Sequence, residues 1–345
     1  MSTNDSELTK EIKKRIKERL PILAEGYEKR YLQAHPREVE NLENLKEPTV
    51  KPFPKAIVNL TNKQITKIFS TATELSCICG AIMGDARLDL DSGYKTYRVK
   101  CRHSTRQADY FFWKQFVVFQ NFTESTKADR KTQYQLPDGY QNECKEHENI
   151  IGSSPNSPFG PLGKLSFITN VSPKFNELAK FLKDGKNKIF ERSWLNAMNA
   201  WFLVVLWLDD GGLTGRGDHG KISFGLLPEA QVMVFIKYLE IAWGVKGRYS
   251  LETSAKTGEY KYSVVMFDPE NLQKFLRIIA PLIPVESMLY KICFFHENDS
   301  IRQRWVSELD QLVTNEDFKL AIKEIYAQKE LKYYVSQSTE KLKDI

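Results

Sequence analysis

The sequence predicts a mixed α+β protein in which one structural plan occurs twice. A short apolar run that closes on aspartate appears in two places, as ELSCICGAIMGDARL with Asp85 and as NAWFLVVLWLDDGGL with Asp210. After each run the hydrophobic period changes from that of a helix to that of a strand, and later returns. We therefore expect the order helix, strands, helix, strands, helix in each half of the chain.

Length and composition limit the classes of protein to which this chain can belong. The 345 residues suffice for two domains, and 41% hydrophobic with 27% charged residues is typical of a globular chain. The net charge of +6 permits a polyanionic partner. Five irregularly spaced cysteines predict a reducing compartment rather than a disulfide framework. The longest apolar run is far shorter than the roughly 20 residues that cross a bilayer, so no membrane contact is expected.

The first domain, placed at 69–190, follows an N-terminal extension at 1–68. Its first helix is predicted from Thr71 to Asp85. Small residues recur every four positions on one face of this helix: Ala72, Ser76, Gly80 and Gly84. Glycine within a helix costs about 1 kcal/mol relative to alanine. The stripe therefore indicates either a closely packed second helix or burial against the domain's own sheet.

A strand is predicted next, over 94–104. Alternation places Tyr97, Val99, Cys101 and His103 on one face and Arg98, Lys100 and Arg102 on the other. Three cations in a row repel each other, which favours a polyanion as partner. An ordinary exposed sheet face is the alternative.

The remaining elements follow in order. In the first half we expect an aromatic helix over 107–122, a polar loop or insertion over 123–162, a strand over 163–171 and a helix over 173–185. The second domain, placed at 191–298, begins with a helix that Ser193 caps and that reaches Asp210. It continues with a strand over 219–227, a helix over 229–243, a hairpin and a closing helix from Pro269. A helical tail is expected at 299–345.

The paired acids are the predicted chemical centre. Each ends a helix, where the dipole disfavours an anion unless a positive charge lies nearby. Two divalent metal ions hydrolyse a phosphodiester together, and such ions bind carboxylate and carbonyl oxygens. We therefore expect Asp85 and Asp210 to bind metal, with Gly84 and Asp209 supplying further oxygens at the helix ends. The alternative is that both acids merely punctuate helix ends before turns.

These residues resemble the two motif helices of a single-chain LAGLIDADG homing endonuclease. The GD-A-x-L form around Asp85, the W-x-DDGG form around Asp210 and the later LIPVESMLYKI segment are similar to one divergent branch of that family. The resemblance implies a tandem αββαββα fold whose two pseudo-symmetric domains have saddle-shaped antiparallel sheets over DNA. It also implies Mg²⁺ (or Mn²⁺) at both acids. Lys291 would be the basic residue of the second centre, and Lys188 or Lys186 that of the first.

The second motif helix departs from the family pattern at two positions. Val205 and Asp209 replace the small residues usual on the packed face. We expect these larger side chains to limit how closely the two helices approach.

DNA contact is also indicated by polar residues at period two in the second half: Lys221 with Ser223, Arg248 with Ser250, and Lys261 with Ser263. A two-stranded ribbon fits the major groove, where Lys and Arg read guanine. Solvated surface is the alternative for each cation.

Three functions remain open at this point. The first is a monomeric, site-specific endonuclease of double-stranded DNA that acts in intron homing. The second is a maturase that binds intron RNA on the same scaffold, and the third is a catalytically silent structural or DNA-binding protein. Retention of both acids favours cleavage. Frames of this kind are common in organelle genomes, so we expect an origin in a chloroplast or mitochondrion.

Overall fold

The predicted order of helices and strands is present in both halves of the chain. The computed structural model describes residues 69, 71–90, 95–104, 107–123, 133–135, 164–185, 187–215, 217–253 and 260–341. The extension at 1–68 lies outside these residues. One compact unit comprises the described part of 85–176, and the other comprises the described residues before 85 and after 176. The domain boundaries that we drew from the sequence repeat stay a prediction.

The first half has the order αββαββα. Its elements are α1 (Ala72–Met83), β1 (Arg87–Asp89), β2 (Arg98–Ser104), α2 (Ala108–Trp113), β3 (Gln133–Gln135), β4 (Lys164–Ile168) and α3 (Pro173–Leu182). Helix α2 continues as a π-helical turn over Lys114–Val118 and a last short helix over Gln120–Thr123. The expectation of a plain loop over 123–162 is wrong in one respect, because β3 lies within it and pairs with β4.

The second half repeats this order after three short elements. These are β5 (Lys183–Asp184), β6 (Asn187–Lys188) and α4 (Arg192–Leu195). The repeat consists of α5 (Ala200–Asp210), β7 (Gly211–Thr214), β8 (His219–Ser223), α6 (Glu229–Tyr238), β9 (Arg248–Thr253), β10 (Tyr260–Phe267) and α7 (Pro269–Ile279). A π-helical turn over Leu239–Trp243 extends α6, as one extends α2. The predicted hairpin is the antiparallel pair β9 and β10.

The two sheets have the same topology. Their strand orders are β1-β2-β4-β3 in the first unit and β7-β8-β10-β9 in the second, and all of their pairs are antiparallel. The tandem αββαββα fold that the resemblance implied is therefore confirmed.

The cap of the second motif helix differs from the prediction. Ser193 lies within the short helix α4, and α5 begins later, after Asn199. The Asn199 side chain accepts a hydrogen bond from the Trp201 amide at 3.0 Å. An asparagine oxygen satisfies one of the amides that a helix start leaves unpaired, which is why this residue can replace the serine that we expected.

Helices α1 and α5 pack side by side within the second unit and run in the same direction. Ser76 accepts a hydrogen bond from the Asn199 amide at 3.0 Å, near the start of both helices. One turn later, a Cβ atom added to Gly80 would lie 2.9 Å from the Phe202 carbonyl oxygen and 2.9 Å from Val205 Cβ. At the far end, Gly84 lies against Asp209. Ser76, Gly80 and Gly84 of the small-residue stripe therefore face a second helix, whereas Ala72 is exposed, and both helices end together.

Val205 and Asp209 are the side chains of α5 that α1 contacts, and whether they limit the approach of the helices stays a prediction. Gly80 lies opposite Val205 and Gly84 lies opposite Asp209, so each larger side chain of α5 occupies the space that a glycine of α1 leaves.

Two C-terminal helices, α8 (Asp299–Leu312) and α9 (Glu316–Lys341), confirm the predicted helical tail. They bind the segment that follows α7 through its backbone. The Tyr326 hydroxyl donates to the Phe294 carbonyl at 2.6 Å, and the Lys329 ammonium donates to the Cys293 carbonyl at 2.6 Å. Buried Arg302 donates to the His296 carbonyl at 2.9 Å.

The described cysteines are buried thiols. Burial raises the pKa of Cys293 to about 12 and raises the pKa of Cys79 further still. Both groups therefore stay protonated and unreactive near neutral pH. Cys144, which forms a C-x-x-H pair with His147 in the sequence, lies outside the described residues. None of the described helices combines the length and the apolar composition that crossing a bilayer requires.

We expect Gly80→Ala to lower the free energy of unfolding by about 1–2 kcal/mol. The added methyl group meets a backbone oxygen that cannot move alone, and overpacking of this kind outweighs the gain of about 1 kcal/mol in helix propensity. Denaturant midpoints measure the change. Gly212→Ala is the control, because nothing lies within 4 Å of a Cβ added there. A Gly80→Ala protein as stable as the wild type would contradict the close packing.

Candidate active site at the ends of two helices

A lysine occupies the C-terminal end of α5. The Lys291 ammonium donates to the carbonyl oxygens of Leu208 at 2.6 Å and Gly211 at 2.9 Å, and lies 3.3 Å and 3.4 Å from those of Trp207 and Asp209. Lys291 is 6% exposed. A buried cation at this position neutralises the negative end of the helix dipole and satisfies carbonyls that have no partner within the helix.

Trp207 binds the same segment in return. Its indole nitrogen donates to the Lys291 carbonyl at 3.1 Å. The tryptophan of the W-x-DDGG pattern therefore holds the backbone of Lys291 while the Lys291 side chain holds the backbone at the end of α5.

A second lysine occupies the end of α1 in the same manner. The Lys188 ammonium donates to the carbonyls of Gly84 at 2.7 Å and Met83 at 3.2 Å. Lys188 lies in β6, shortly after the last helix of the first half, and Lys291 lies shortly after the last helix of the second. Lys186, the other residue that bracketed this position, lies outside the described residues.

The acids of α5 lie beside these lysines. The Asp209 carboxylate is packed against Gly84, since a Cβ atom added to Gly84 would lie 2.5 Å from its Oδ2 atom. Asp210 lines a cavity of about 420 Å³ in the second unit. Other residues that line this cavity are Gly84, Lys188, Ser223 and Tyr262. An acidic and a basic residue, Asp210 and Lys188, thus line one cavity at the meeting ends of two helices.

Asp85 follows Gly84 in the chain and belongs to the first unit. Its side chain is 37% exposed, and its Oδ2 atom lies 3.6 Å from Nδ1 of the buried His103. The exposed carboxylate is consistent with the predicted role of Asp85 as a ligand.

The donor set fits a hard divalent cation. In the second unit, the carboxylates of Asp209 and Asp210 and the carbonyl of Gly84 are all oxygen donors at helix ends. The Gly84 carbonyl accepts from Lys188, but a carbonyl oxygen has a second lone pair. Oxygen donors of this kind suit Mg²⁺ rather than a softer metal.

The lysines also supply positive charge at the negative ends of the two helix dipoles. We expected a metal ion because an anion at a helix end needs a nearby positive charge. Lys188 and Lys291 already supply that charge to the backbone, so the case for metal depends on the oxygen donors instead.

The outer face of the first sheet carries the predicted cations. Arg102 is exposed, and Arg98 and Lys100 are half-buried, while Val99, Cys101 and His103 on the other face are buried. This row is not free of acid, because Asp89 lies opposite Arg98 on β1, and its Oδ2 atom is 2.5 Å from Lys100 Nζ. Desolvation raises the pKa of Asp89, but the hydrogen bond from Lys100 and the nearby cationic charges outweigh it and lower that pKa.

The second sheet shows the same mixture. Exposed Arg248 lies on the outer face with half-buried Lys221 and Ser223, and Lys221 Nζ is 2.5 Å from Oε1 of Glu252. Ser263 does not belong to this face, because it is buried and donates to the Leu227 carbonyl at 2.6 Å. In the regular part of the ladder, Met266 pairs with both Lys221 and Arg248, and Ser263, an odd number of residues away, lies on the opposite face of β10. The side chain of Lys261 lies outside the described residues.

Sequence reasoning missed two residues that hold the motif helices and strands in place, Asn199 and Lys114. Asn199 was overlooked as a cap although it opens the run NAWFLVVLWLDDGGL. Lys114, whose ammonium lies 3.2 Å from Nε2 of His103, gave no signal because it lies in a run of aromatic residues. His103 did give one, because it is the polar member of an otherwise apolar strand face.

The chain was compared with known families and structures. Residues 75–275 match the sequence model of the LAGLIDADG DNA endonuclease family. This segment begins in α1 and ends in α7, so it spans both copies of the repeated plan. No curated protein sequence matches the chain.

Solved structures that are similar to it include two of one protein and one of a homing endonuclease. One is the homing endonuclease I-WcaI bound to its DNA recognition sequence, with 14% identity and a TM-score of 0.48 over 75% of this chain and 99% of that one. Another is the N-terminal LAGLIDADG domain of DUF199/WhiA, with 13% identity and a TM-score of 0.33 over 68% of this chain and 96% of that one. The third is full-length DUF199/WhiA from Thermatoga maritima, with 13% identity and a TM-score of 0.35 over 81% and 74%.

We expect Lys291→Met to lower the free energy of unfolding by about 2–4 kcal/mol, since it leaves several buried carbonyls without a charged donor. Lys188→Met should lower it by about 1–2 kcal/mol, because Lys188 is less buried and binds fewer carbonyls. Lys274→Met is the control, because its exposed pair with Glu270 contributes less than about 0.5 kcal/mol. Equal losses for all three variants, measured by denaturant unfolding, would refute the assigned roles.

Proposed function

The chain belongs to the LAGLIDADG DNA endonuclease family, whose model matches residues 75–275, and on this premise we propose that it cuts both strands of double-stranded DNA at one long, asymmetric site. The observation that carries the proposal is the repeated arrangement at the helix ends. Each motif helix leads into an acid, and a lysine from the end of the same half binds its last carbonyls. A duplex has two backbones to hydrolyse, and this chain offers two such ends.

We assign the acids as follows. Asp85 serves one strand and Asp210 the other, with Gly84 and Asp209 as further oxygen donors for Mg²⁺ or Mn²⁺. A divalent cation bound there would acidify a water molecule and stabilise the leaving oxygen of the phosphodiester.

The lysines have two roles in this proposal. Lys291 is buried on the helix-end carbonyls, so it fixes the backbone that carries Asp209 and Asp210. Lys188 lines the same cavity as Asp210, so its charge also faces the space that a phosphate would occupy. An ammonium near the reacting phosphate stabilises the charge that develops in the transition state.

The outer faces of the two sheets are the proposed DNA surface. Arg98, Lys100 and Arg102 would contact DNA in the first half, and Lys221, Ser223, Arg248 and Lys261 in the second. The acids Asp89 and Glu252, paired with Lys100 and Lys221, hold these long side chains in defined positions in the absence of DNA. Base-reading contacts need such positions, whereas contacts to phosphate add affinity without sequence information. Action as a monomer, binding of intron RNA and an organellar origin stay predictions.

We expect Asp85→Asn and Asp210→Asn each to reduce double-strand cleavage by at least about 100-fold, because an amide is a poor ligand for Mg²⁺. DNA affinity should stay within about threefold, since the sheets are unchanged. Purified protein with Mg²⁺ is incubated with a plasmid library of genomic fragments, and the ends of the cleaved molecules are sequenced.

Asp310→Asn is the matched control, because Asp310 is an exposed residue of α8. Cleavage that persists in both Asp85→Asn and Asp210→Asn would overturn the assignment. Cleavage should also stop with EDTA and resume when Mg²⁺ is restored.

We expect Asp89→Asn to tighten DNA binding by about 3–10-fold at low salt and to steepen its salt dependence, since one negative charge leaves a surface that meets phosphates. Fluorescence anisotropy over a range of KCl concentrations measures both effects. Glu177→Gln is the control, because it also releases a lysine, Lys180, from an exposed pair outside the sheets. If the two substitutions changed DNA affinity equally, the outer face of the first sheet would not be part of the DNA-binding surface.

A further inference from the structure

The backbone that follows Lys291 has no regular secondary structure. Lys291 ends a short 3₁₀-helix, Glu286–Lys291, and residues 292–298 form neither a helix nor a strand before α8 begins. Ile292, Cys293 and Phe294 are nevertheless buried. A buried carbonyl oxygen that belongs to no helix or sheet needs a hydrogen-bond donor from another part of the chain.

The C-terminal helices α8 and α9 supply these donors. Three successive carbonyl oxygens, those of Ile292, Cys293 and Phe294, each accept a hydrogen bond from one side chain of the tail. Because the segment is buried, these bonds form where the local dielectric is low, which strengthens them. The donors, in the order of the carbonyls, are Trp305 at 3.1 Å, Lys329 at 2.6 Å and Tyr326 at 2.6 Å.

Arg302 joins both tail helices to the far end of the same segment. This buried guanidinium donates to the His296 carbonyl at 2.9 Å. It also donates to Asp299 of α8 at 2.6 Å and to Glu330 of α9 at 3.0 Å. A buried charge with two carboxylate partners is costly to separate from them. Helices α8 and α9 therefore bind the segment together.

The tail also contacts the element that carries Lys291. Helix α9 packs against the 3₁₀-helix Glu286–Lys291 in the second unit. Trp207 of α5 binds the Lys291 carbonyl at 3.1 Å, and Trp305 of the tail binds the carbonyl of the next residue. The backbone at Lys291 is thus held from α5 and from the tail. Because the lysine stem is flexible, the reach of its ammonium depends on where this backbone is fixed.

We infer that α8 and α9 are a positioning element of the second catalytic centre. They fix the backbone of Lys291, whose ammonium binds the carbonyls at the end of the helix that carries Asp210. The positioning residues are Trp305, Lys329 and Tyr326, which lie beyond the segment 75–275 that matches the family model. On the proposed nuclease function, on which this inference rests, loosening the tail slows the strand assigned to Asp210 more than the strand assigned to Asp85.

The test removes two donors and keeps both aromatic rings. In Trp305→Phe/Tyr326→Phe, single-turnover cleavage of the Asp210 strand should fall about 10-fold, the lower end of the usual loss when a group behind a metal ligand is removed. Cleavage of the other strand should stay within about threefold, so nicked DNA accumulates. DNA affinity should stay within about twofold, because the sheets are unchanged. Each strand carries its own label.

Asp268→Ala is the control for stability. Asp268 caps α7 by accepting from the Asn271 amide at 2.8 Å, so its loss destabilises the same unit without removing a donor of the tail. Both strands should then be cut within about twofold of wild type. An equal loss of both strands in the double variant, or the same strand preference in Asp268→Ala, would overturn the inference.

Single substitutions extend the test if the double variant does not fold. Tyr326→Phe loses one hydroxyl and should slow the Asp210 strand about threefold. Lys329→Met should have a similar effect, and Lys329→Arg, which keeps a cationic donor, should restore that strand to within about twofold of wild type. Unchanged cleavage in both Tyr326→Phe and Lys329→Met would contradict the positioning role.

The Lys291 ammonium gives a readout without DNA. It is 6% exposed and bound to carbonyls, so its protons exchange slowly with water and a ¹H–¹⁵N signal is expected in wild type. The double variant should lose this signal, whereas Asp268→Ala should keep it. If wild type cuts no DNA, the proposed function fails and this signal still decides the positioning role. An unchanged signal in the folded double variant would overturn it.

Discussion

The close approach of α1 and α5 is the constraint on which the candidate site depends. The two helices run parallel, so both of their negative ends meet, and each end carries acids. That arrangement is electrostatically unfavourable by itself. It becomes stable because Gly80 and Gly84 bring the backbones together, and because Lys188 and Lys291 donate to the carbonyls at the helix ends. Packing and charge are therefore coupled, since the geometry that the glycines permit needs the cations that the later segments supply.

The two halves follow the same plan with different chemistry. At the helix interface, glycine in α1 faces valine or aspartate in α5. In the first half, buried His103 contacts the ammonium of buried Lys114, whereas in the second half Phe224 contacts Phe235. The lysines at the helix ends differ in burial as well, since Lys291 is buried and Lys188 half-buried. A duplicated fold preserves the order of its elements under selection for packing, while each copy can change its polar groups independently.

Much of the fold could be predicted because it follows from local periodicity. The apolar runs, the alternating strands and the stripe of small residues each predicted an element or a contact that the structure confirms. The short strand β3 was missed, because three residues in a polar stretch carry no periodic signal. Asn199 was missed because a cap depends on where a helix begins, and Ser193 is an equally good capping residue.

For the site, the acids and Lys291 could be found from motifs. The pairing of His103 with Lys114 could not, since it joins two separate elements.

The placement of α1 has a consequence for biosynthesis. Met83 ends a helix that belongs to the same compact unit as α5, yet the chain then forms the described part of the other unit before it reaches Glu177. One unit is thus continuous among the described residues, and the other is discontinuous. During translation, which proceeds from the N-terminus, α1 leaves the ribosome long before its partner helix. Its buried surface stays without α5 until more than half of the polypeptide has been made, and its glycines and cysteines must tolerate that delay.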